Sequence, residues 1–251
     1  MLRRDGTRSF AADMHRFFIR QPITETVTLN GDDVKHITRV LRLRAGDIIT
    51  LCDGHNHECT ATLETITKDA VLCRCNTPKM CETEPKVRVT LFQGLPKTGK
   101  METIIQKCVE LGIDTVVPMQ TEFCVVQPKE SFKDRIERWQ RVAEEAAKQC
   151  RRGIIPKVGS LMKLSAFDAS LFDLCLVAYE NERCTTLKEA LRGFKGTTIA
   201  ILIGPEGGFS QAEIERLEQN GIQSVSLGKR ILRTETAGMA MLAQIMYEVE
   251  E

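Results

Sequence analysis

A glycine-rich stretch of this chain reads Ile203-Gly204-Pro205-Glu206-Gly207-Gly208-Phe209-Ser210 and directly follows the apolar run of residues 198–202. A second loop, residues 227–237, contains Gly228, Arg233 and Glu235 and follows another short apolar run. Each run is typical of a buried strand, and each loop leads into a helical segment. Glycines at the carboxyl end of a strand let the backbone approach a ligand, and open α/β sheets bind ligands at that edge. The two loops therefore predict one composite pocket, and with it an enzyme.

The chain changes character near residue 86. Before it, short strand-like runs at residues 24–29, 47–52, 58–66 and 70–75 are separated by turns such as Asn30-Gly31, which predicts a small antiparallel barrel. After it, apolar strands alternate with helices, which predicts a parallel sheet with helices on both faces. Strands are expected at residues 87–92, 115–119, 174–178, 199–203 and 225–227. Helices are expected at residues 101–111, 132–150 and 237–249, with another between a Ser210/Glu213 capping box and the Asn220-Gly221 pair.

Composition excludes several classes of protein. Lys and Arg total 35 against 34 Asp and Glu, so any nucleic-acid contact must come from local clusters of charge. The ten cysteines are scattered through the predicted elements, which favours reduced thiols in a cytoplasmic protein. No apolar run approaches the length of a membrane span, and the first thirteen residues lack the apolar core of a secretion signal.

The segment Gly94-Leu95-Pro96-Lys97-Thr98-Gly99-Lys100 has the spacing of a phosphate-binding loop. Met101 follows, however, where that mechanism needs a hydroxyl group on magnesium. The alternatives are a basic loop in which Lys97 and Lys100 contact phosphate, and a solvated turn.

Soft metal ligands also cluster in the first part of the chain, at Cys52, His55, His57, Cys59, Cys73 and Cys75. The cysteine spacing lacks the usual zinc knuckles, and strand alternation would point neighbouring side chains to opposite faces. We therefore expect core cysteines, turn histidines and no metal site.

A cationic row is predicted in the same region. Arginines alternate there with aliphatic residues, so one face would be cationic while the other packs inward. Such a row suits a phosphate backbone, although a solvated face gives the same pattern. Its members are Arg16, His36, Arg39, Arg42 and Arg44.

Several long motifs occur in one order along the chain. They are His15-Arg16-Phe17-Phe18, residues 36–47, residues 95–101, Gln106-Lys107-Cys108-Val109-Glu110-Leu111-Gly112, residues 145–150, residues 203–209 and residues 227–237. With these motifs the chain resembles the bacterial 16S ribosomal RNA uridine-N3 methyltransferases of the SPOUT class, from Met14 to near the C-terminus.

The resemblance implies a PUA-like RNA-binding β-barrel in residues 14–85 and a SPOUT methyltransferase domain in residues 86–251, with a parallel sheet and a deep trefoil knot. Residues 1–13 form an N-terminal extension outside it. It also implies a homodimer and the cofactor S-adenosyl-L-methionine. Carried over by position, the cofactor contacts are Leu202, Ile203, Gly204, Glu206, Gly208, Leu227, Gly228, Ile231, Leu232, Arg233, Thr236 and Ala237.

The implied reaction is methylation of a uridine N3 in 16S ribosomal RNA, presented by the assembled small subunit in the cytoplasm. A uracil N3–H is weakly acidic, so a carboxylate could accept the proton while a cation stabilises the developing charge. Glu206 and Glu235 are the candidates for base or orienting group. Arg233 is the candidate for the cation, or else it pairs with Glu235 and only shapes the loop.

RNA contacts are expected from Arg16, Arg39, Arg42, Lys97, Lys100, Gln149 and Arg152. One position departs from the family pattern, because Phe123 occupies a place where we expect an arginine. That leaves open a secondary contact with RNA or with a second subunit. Three other readings also stay open: a nucleotide hydrolase, a non-catalytic RNA-binding factor, and a SPOUT enzyme acting on another base.

Overall fold

The computed structural model describes residues 15–97, 99–125 and 132–249, so the expected extension of residues 1–13 lies outside the described residues. The chain divides into two compact units. The first unit ends at Glu84 but also includes Arg151–Ile154, and the second contains Pro85–Cys150 and the chain from Ile155 onward. No helix within the described ranges is both long and apolar enough to cross a membrane.

The first unit is built on one sheet. Its strands are β1 (Arg16–Phe18), β2 (Thr26–Asn30), β3 (Ile48–Cys52), β4 (His57–Ile66), β5 (Ala70–Cys75) and β6 (Lys79–Met80). The strand order is β1-β3-β4-β5-β2, with β6 beside β4. Buried and exposed residues alternate along β2, so Val27 and Leu29 face the core. The pairs are antiparallel as expected, except that β1 lies parallel to β3. Parallel pairing is possible there because the chain crosses to the far edge of the sheet, through β2, between the two strands.

The arginine-rich segment of this unit consists of a helical turn followed by a loop. A short helix, α1 (Asp32–Lys35), continues into a π-helical turn at His36–Val40. The chain then loops through residues 41–44, where Arg42 has the left-handed φ of 55°. Leu41 and Leu43 pack against the core while Arg39, Arg42 and Arg44 are exposed, but Val40 is 69% exposed as well. The arginines therefore point outward as predicted, from a turn and a loop in which one of the aliphatic residues does not pack inward.

The second unit confirms the predicted parallel α/β architecture. Its strands are β7 (Arg88–Gly94), β8 (Thr115–Gln120), β9 (Lys157–Val158), β10 (Met162–Lys163), β11 (Leu174–Ala178), β12 (Thr198–Ile203) and β13 (Gln223–Val225). They run parallel in the order β10-β8-β7-β12-β11-β13, with β9 beside β8. The helices are α2 (Lys100–Glu110), α3 (Phe132–Gln149), α4 (Leu187–Leu191), α5 (Gln211–Gln219) and α6 (Thr234–Val249). The trefoil knot implied by the resemblance stays a prediction.

Local sequence explains where the helices of this unit begin and end. The Ser210 hydroxyl accepts the Glu213 N–H, and the Glu213 carboxylate accepts the Ser210 N–H, which is the predicted capping box of α5. That helix ends before Gly221, whose φ of 82° suits glycine. Helix α6 begins at Thr234, earlier than predicted.

The register of the central strands decides where the functional site lies. In the middle of the sheet, β12 pairs with β7 on one side and with β11 on the other. Its residues Ile199, Ala200, Ile201 and Leu202 are fully buried, as a central strand covered on both faces requires. Gln93 of β7 lies beside Ile203 of β12, so the carboxyl ends of these strands meet at one edge.

Candidate active site

A pocket of about 620 Å³ opens at this edge of the second unit. Its walls come from the loops that follow β11, β12 and β13, and from Lys100 at the start of α2. This is the place where parallel α/β sheets usually bind ligands. The two glycine loops singled out in the sequence contribute to the same cavity.

Most of the residues proposed to contact the cofactor line this pocket. They are Ile203, Gly204, Glu206, Gly208, Leu227, Gly228, Ile231, Leu232, Arg233 and Ala237. Leu202 does not line it, because its side chain is fully buried in the core. Thr236 is exposed and Glu235 half-buried, and neither belongs to the lining.

Sequence reasoning missed one wall of the pocket. The residues after β11 contribute Ala178, Tyr179, Glu180 and Arg183. The Glu180 carboxylate lies so close to Gly208 that a Cβ atom at that glycine would be 2.8 Å from Oε1. The available signal was the predicted strand at residues 174–178, whose carboxyl end lies at the same edge as the others.

Close packing of backbone fixes the shape of the loop after β12. A Cβ atom on Gly204 would lie 2.9 Å from the backbone of Gly208, and one on Gly94 would lie 2.6 Å from the Pro205 nitrogen and Cδ. Gly208 also has a φ of 68°, which other residues rarely adopt. Glycines therefore let this loop fold onto itself and onto the end of β7.

A buried hydrogen-bond network connects the two glycine loops. Gln93 is fully buried, and its Nε2 donates to the Thr234 hydroxyl at 2.9 Å and to the Gly94 carbonyl at 3.0 Å. The Thr234 hydroxyl in turn donates to the Gly204 carbonyl at 2.6 Å. Because these groups are shielded from water, breaking one bond leaves a buried polar group unsatisfied. The network therefore holds the first turn of α6 against the loop after β12.

Lys100 and two carboxylates form a charged cluster at the pocket. Lys100 Nζ lies 2.9 Å from Glu206 Oε1 and 3.0 Å from Glu235 Oε2. Glu206 also accepts the Lys97 backbone N–H at 3.1 Å, so it ties the loop before α2 to the loop after β12. Glu235 pairs with Lys100, and among the described residues Arg233 has no carboxylate within 4.0 Å. The charge of Arg233 nevertheless helps to lower the pKa of Glu235, after the backbone N–H and Lys100, so the pairing of Arg233 with Glu235 stays a prediction.

The cluster shifts the pKa of each member. Contact with Glu206, followed by contact with Glu235, raises the pKa of the Lys100 ammonium. Burial would raise the pKa of Glu206, but Lys100 and the backbone N–H donors hold it below its ordinary value. A hydrogen bond from its own backbone N–H, followed by Lys100, lowers the pKa of Glu235. All three groups are therefore charged at neutral pH.

This arrangement disfavours the phosphate-loop alternative. A phosphate held by Lys100 would face the carboxylates of Glu206 and Glu235, which repel it. The pocket lining as a whole is nevertheless cationic. Its lining carries Lys100, Arg183, Lys229, Arg230 and Arg233 against only Glu180 and Glu206.

Lys100 belongs to the charged cluster, and the other residues proposed to bind RNA fall into two groups. Arg39 and Arg42 in the first unit, and Lys97 and Gln149 in the second, are exposed. Arg16 and Arg152 are instead engaged inside the first unit. Arg16 pairs with Glu58 at 2.5 Å with 10% of its side chain exposed, and Arg152 pairs with Glu84 at 2.6 Å with 6% exposed. We therefore assign these two a structural role and leave them out of the proposed RNA surface.

The soft ligands singled out in the sequence lie in different places within the first unit. Cys59, Cys73 and Cys75 belong to the hydrophobic core of the first unit. Cys52 instead groups with Glu58 and Cys81, and the ligand atoms of these three lie within 4.8 Å of one another. The Arg16 guanidinium lies among these three residues. Its Nη1 donates a hydrogen bond to Cys52 Sγ at 2.8 Å, and its Nη2 donates one to the Glu58 carboxylate. A guanidinium there supplies the positive charge that a metal ion would bring.

Phe123, which replaces the expected arginine, lies beside the loop after β12. A Cβ atom on Gly207 would be 2.9 Å from Phe123 Cβ, and 43% of Phe123 is exposed. The neighbouring Glu122 N–H donates to Glu213 at 2.8 Å and so anchors this turn on α5. An apolar ring therefore stands near the pocket loop where a charge is expected.

Comparison with known proteins identifies the family. Residues 29–74 match the RNA methyltransferase PUA domain, and residues 83–246 match the RNA methyltransferase domain. The chain is 38% identical to the ribosomal RNA small subunit methyltransferase E of Bacillus subtilis, over 94% of this chain and 98% of that protein. It is 35% identical to the protein of that name from Synechocystis, over 90% and 74%.

A solved structure supports the same assignment. The crystal structure of a ribosomal RNA small subunit methyltransferase E from Neisseria gonorrhoeae, bound to S-adenosyl methionine, has a TM-score of 0.83 and 30% identity. It covers 94% of this chain and 98% of the gonococcal one. The match extends over both the PUA-type first unit and the parallel α/β second unit. The chain therefore belongs to the ribosomal RNA small subunit methyltransferase E family of RNA methyltransferases.

Proposed function

We propose that this chain methylates small-subunit ribosomal RNA with S-adenosylmethionine, at N3 of a uridine. The observation that carries the proposal is the pocket of about 620 Å³ between the two glycine loops. It occurs in a chain that shares its family and fold with a protein crystallised with S-adenosyl methionine. The volume falls in the range of about 300–1,000 Å³ typical of small-molecule sites.

The lining of the pocket suits this cofactor. The loops after β12 and β13 bring the backbone of Gly204, Gly208 and Gly228 to the pocket wall, where these residues carry no side chain of their own. Leu227, Ile231 and Leu232 supply apolar surface for an adenosine or a methylene chain. When bound, the cofactor would supply an electrophilic methyl group for in-line displacement. Much of the catalysis would then come from positioning the acceptor base.

The acceptor must reach the pocket as an unpaired base. N3 lies on the Watson–Crick edge, so the target uridine has to be single-stranded or flipped out of its helix. The exposed Arg183, Lys229, Arg230 and Arg233 surround the opening and would hold the flanking phosphates. Arg233 lies at the amino end of α6, where its charge and the helix dipole would favour an anionic base. Glu206 and Glu235 would be orienting groups, since both pair with Lys100 at the pocket wall.

The partners follow from the same proposal. Exposed Arg39 and Arg42 in the first unit, with Lys97 and Gln149 in the second, would bind 16S ribosomal RNA in the assembled small subunit in the cytoplasm. Ile231 is 84% exposed and Tyr247 of α6 is 71% exposed, and such apolar surface suits the contact of a homodimer. Sedimentation of the purified protein tests the dimer directly.

A calorimetric titration of the purified protein with S-adenosylmethionine is the first test, with ATP and magnesium as the control ligand. We expect binding of the first ligand only. Small subunits from cells that lack this enzyme are then incubated with the protein and the cofactor. Mass spectrometry of the digested 16S RNA should show new N3-methyluridine. Binding without methylation would indicate another RNA or another base, and binding of RNA alone would indicate a non-catalytic factor.

A further inference from the structure

The ammonium group of Lys100 has a defined place on the pocket wall. It lies between Glu206 and Glu235, at 2.9 and 3.0 Å, and 29% of its side chain is exposed. An ammonium carries three N–H donors, and among the described residues only these two carboxylates lie within ion-pair distance of Nζ. At least one donor is therefore available to a group that enters the pocket.

The two carboxylates hold this lysine rather than act on substrate. Glu206 also accepts the Lys97 N–H, so it fixes the backbone from which Lys100 extends. Lys100 lowers the pKa of both carboxylates, and an effective general base needs a pKa near the working pH. Ionised but weakly basic groups are suited to fixing a cation. Glu206 and Glu235 are therefore positioning residues.

We propose that Lys100 is a catalytic residue, whose ammonium group hydrogen bonds a carbonyl oxygen of the target uracil and stabilises the anion centred on N3. The inference rests on the proposed function and names the group that makes N3 nucleophilic. A fixed donor aimed at developing charge in a site shielded from water is worth much more than the same donor in water.

The chemical step balances without any further reagent. The N3 proton passes to water, and the negative charge spreads from N3 to O2 and O4, where Lys100 stabilises it. The N3 electron pair forms the new bond to the methyl carbon. The bond between sulfur and that carbon breaks, and its electron pair stays on sulfur as a neutral thioether. Lys100 keeps its proton throughout.

Lys100→Gln tests the proposal, with Lys107→Gln as the matched control. Both lysines belong to α2, but Lys107 pairs with Glu110 of the same helix at 2.8 Å and does not line the pocket. We expect Lys100→Gln to lower the maximal methylation rate about 100- to 1,000-fold, the usual effect of removing one such donor. Lys107→Gln removes only a surface ion pair and should leave the maximal rate near that of the wild type.

Changing the acidity of the uracil N3–H distinguishes two roles of Lys100, stabilising the anion and merely positioning the substrate. Small subunits are reconstituted from 16S RNA transcribed with 5-fluorouridine triphosphate, because fluorine at C5 makes N3–H more acidic. The rate loss of Lys100→Gln should be much smaller on this RNA than on ordinary RNA, and smaller at higher pH. An equal loss on both RNAs would overturn the proposal.

A binding measurement gives a second readout that does not depend on turnover. With S-adenosylhomocysteine present, the wild type should increasingly prefer fluorinated subunits as pH rises and the base ionises. Lys100→Gln should show no such preference, and Lys100→Arg should retain part of it. If both variants prefer fluorinated subunits as the wild type does, Lys100 does not stabilise the anion.

Glu206→Gln distinguishes the positioning role from a base. The amide oxygen can still accept the Lys97 N–H, so we expect a smaller rate loss than in Lys100→Gln. A loss as large, and likewise reduced on fluorinated RNA, would make Glu206 the base and reject our assignment. Wild-type methylation of ordinary subunits is measured first. Its absence would refute the proposed function itself, which no variant result can imitate.

Discussion

Gly94→Ala tests how the pocket is built. The new Cβ atom would stand 2.6 Å from Pro205 Cδ and nitrogen and 2.9 Å from the Gly204 carbonyl carbon. Two of these atoms belong to the backbone, so no side-chain rotation relieves the clash. Overpacking of this kind typically costs about 1–3 kcal/mol. The loop after β12 must therefore shift, or the second unit must lose stability.

The free-energy cost of Gly94→Ala should appear in the melting temperature, in the affinity for S-adenosylmethionine, or in both. If the loop stays in place, thermal unfolding should move down by about 2–4 °C for each kcal/mol lost. If the loop shifts instead, S-adenosylmethionine should bind about 5- to 150-fold more weakly, the equivalent of about 1–3 kcal/mol. Differential scanning calorimetry and isothermal titration on the same sample measure both quantities.

Gly238→Ala provides the matched control. Its Cβ atom would meet Leu91 Cδ2 at 3.4 Å, an ordinary contact, and the residue lies inside α6. Alanine there should leave the pocket intact and stabilise the helix by up to about 1 kcal/mol. Wild-type melting temperature and wild-type cofactor affinity in Gly94→Ala would together refute the close packing on which we base the pocket.

Three further substitutions test other parts of the molecule. Arg233→Ala should reduce turnover far more than affinity for S-adenosylmethionine; equal losses would remove it from the chemical step. Replacing Arg39 and Arg42 with glutamine should weaken RNA binding. The slope of log K against log salt concentration should become shallower by about one for each lost phosphate contact, and an unchanged slope would show that RNA binds elsewhere. Glu84→Ala leaves the buried Arg152 without its carboxylate, and denaturant unfolding should show a loss of about 3–5 kcal/mol, whereas wild-type stability would contradict a buried pair.

Local signals in the sequence were sufficient for much of the second unit. Ser210 and Glu213 stand three residues apart, and that spacing alone specifies the capping box seen at the start of α5. Glycines after two apolar strands placed both pocket loops at one sheet edge, because parallel strands share the direction of their carboxyl ends. These features depend on neighbours along the chain or on a general rule of topology.

Pairing between distant residues was not predictable in the same way. Lys100 and Glu235 lie far apart in sequence, and only folding brings the ammonium within 3.0 Å of the carboxylate. Arg16 was expected on the surface because arginines usually are exposed, but Glu58 of the same sheet holds it inside. In residues 36–44 a π-helical turn and a left-handed Arg42 leave Val40 exposed, although it was expected to pack inward. Each difference has a tertiary cause that a single sequence does not reveal.

The inclusion of Arg151–Ile154 in the first unit has a consequence for the order of events during biosynthesis. That unit cannot reach its final structure when Glu84 leaves the ribosome, because the buried partner of Glu84 has not yet been made. Arg152 is the 68th residue after Glu84, and adding that length takes roughly 3–14 s at about 5–20 residues per second. The first unit therefore stays incomplete while the segment that contains α2 and α3 is translated. Folding of the first unit thus depends on synthesis of part of the second.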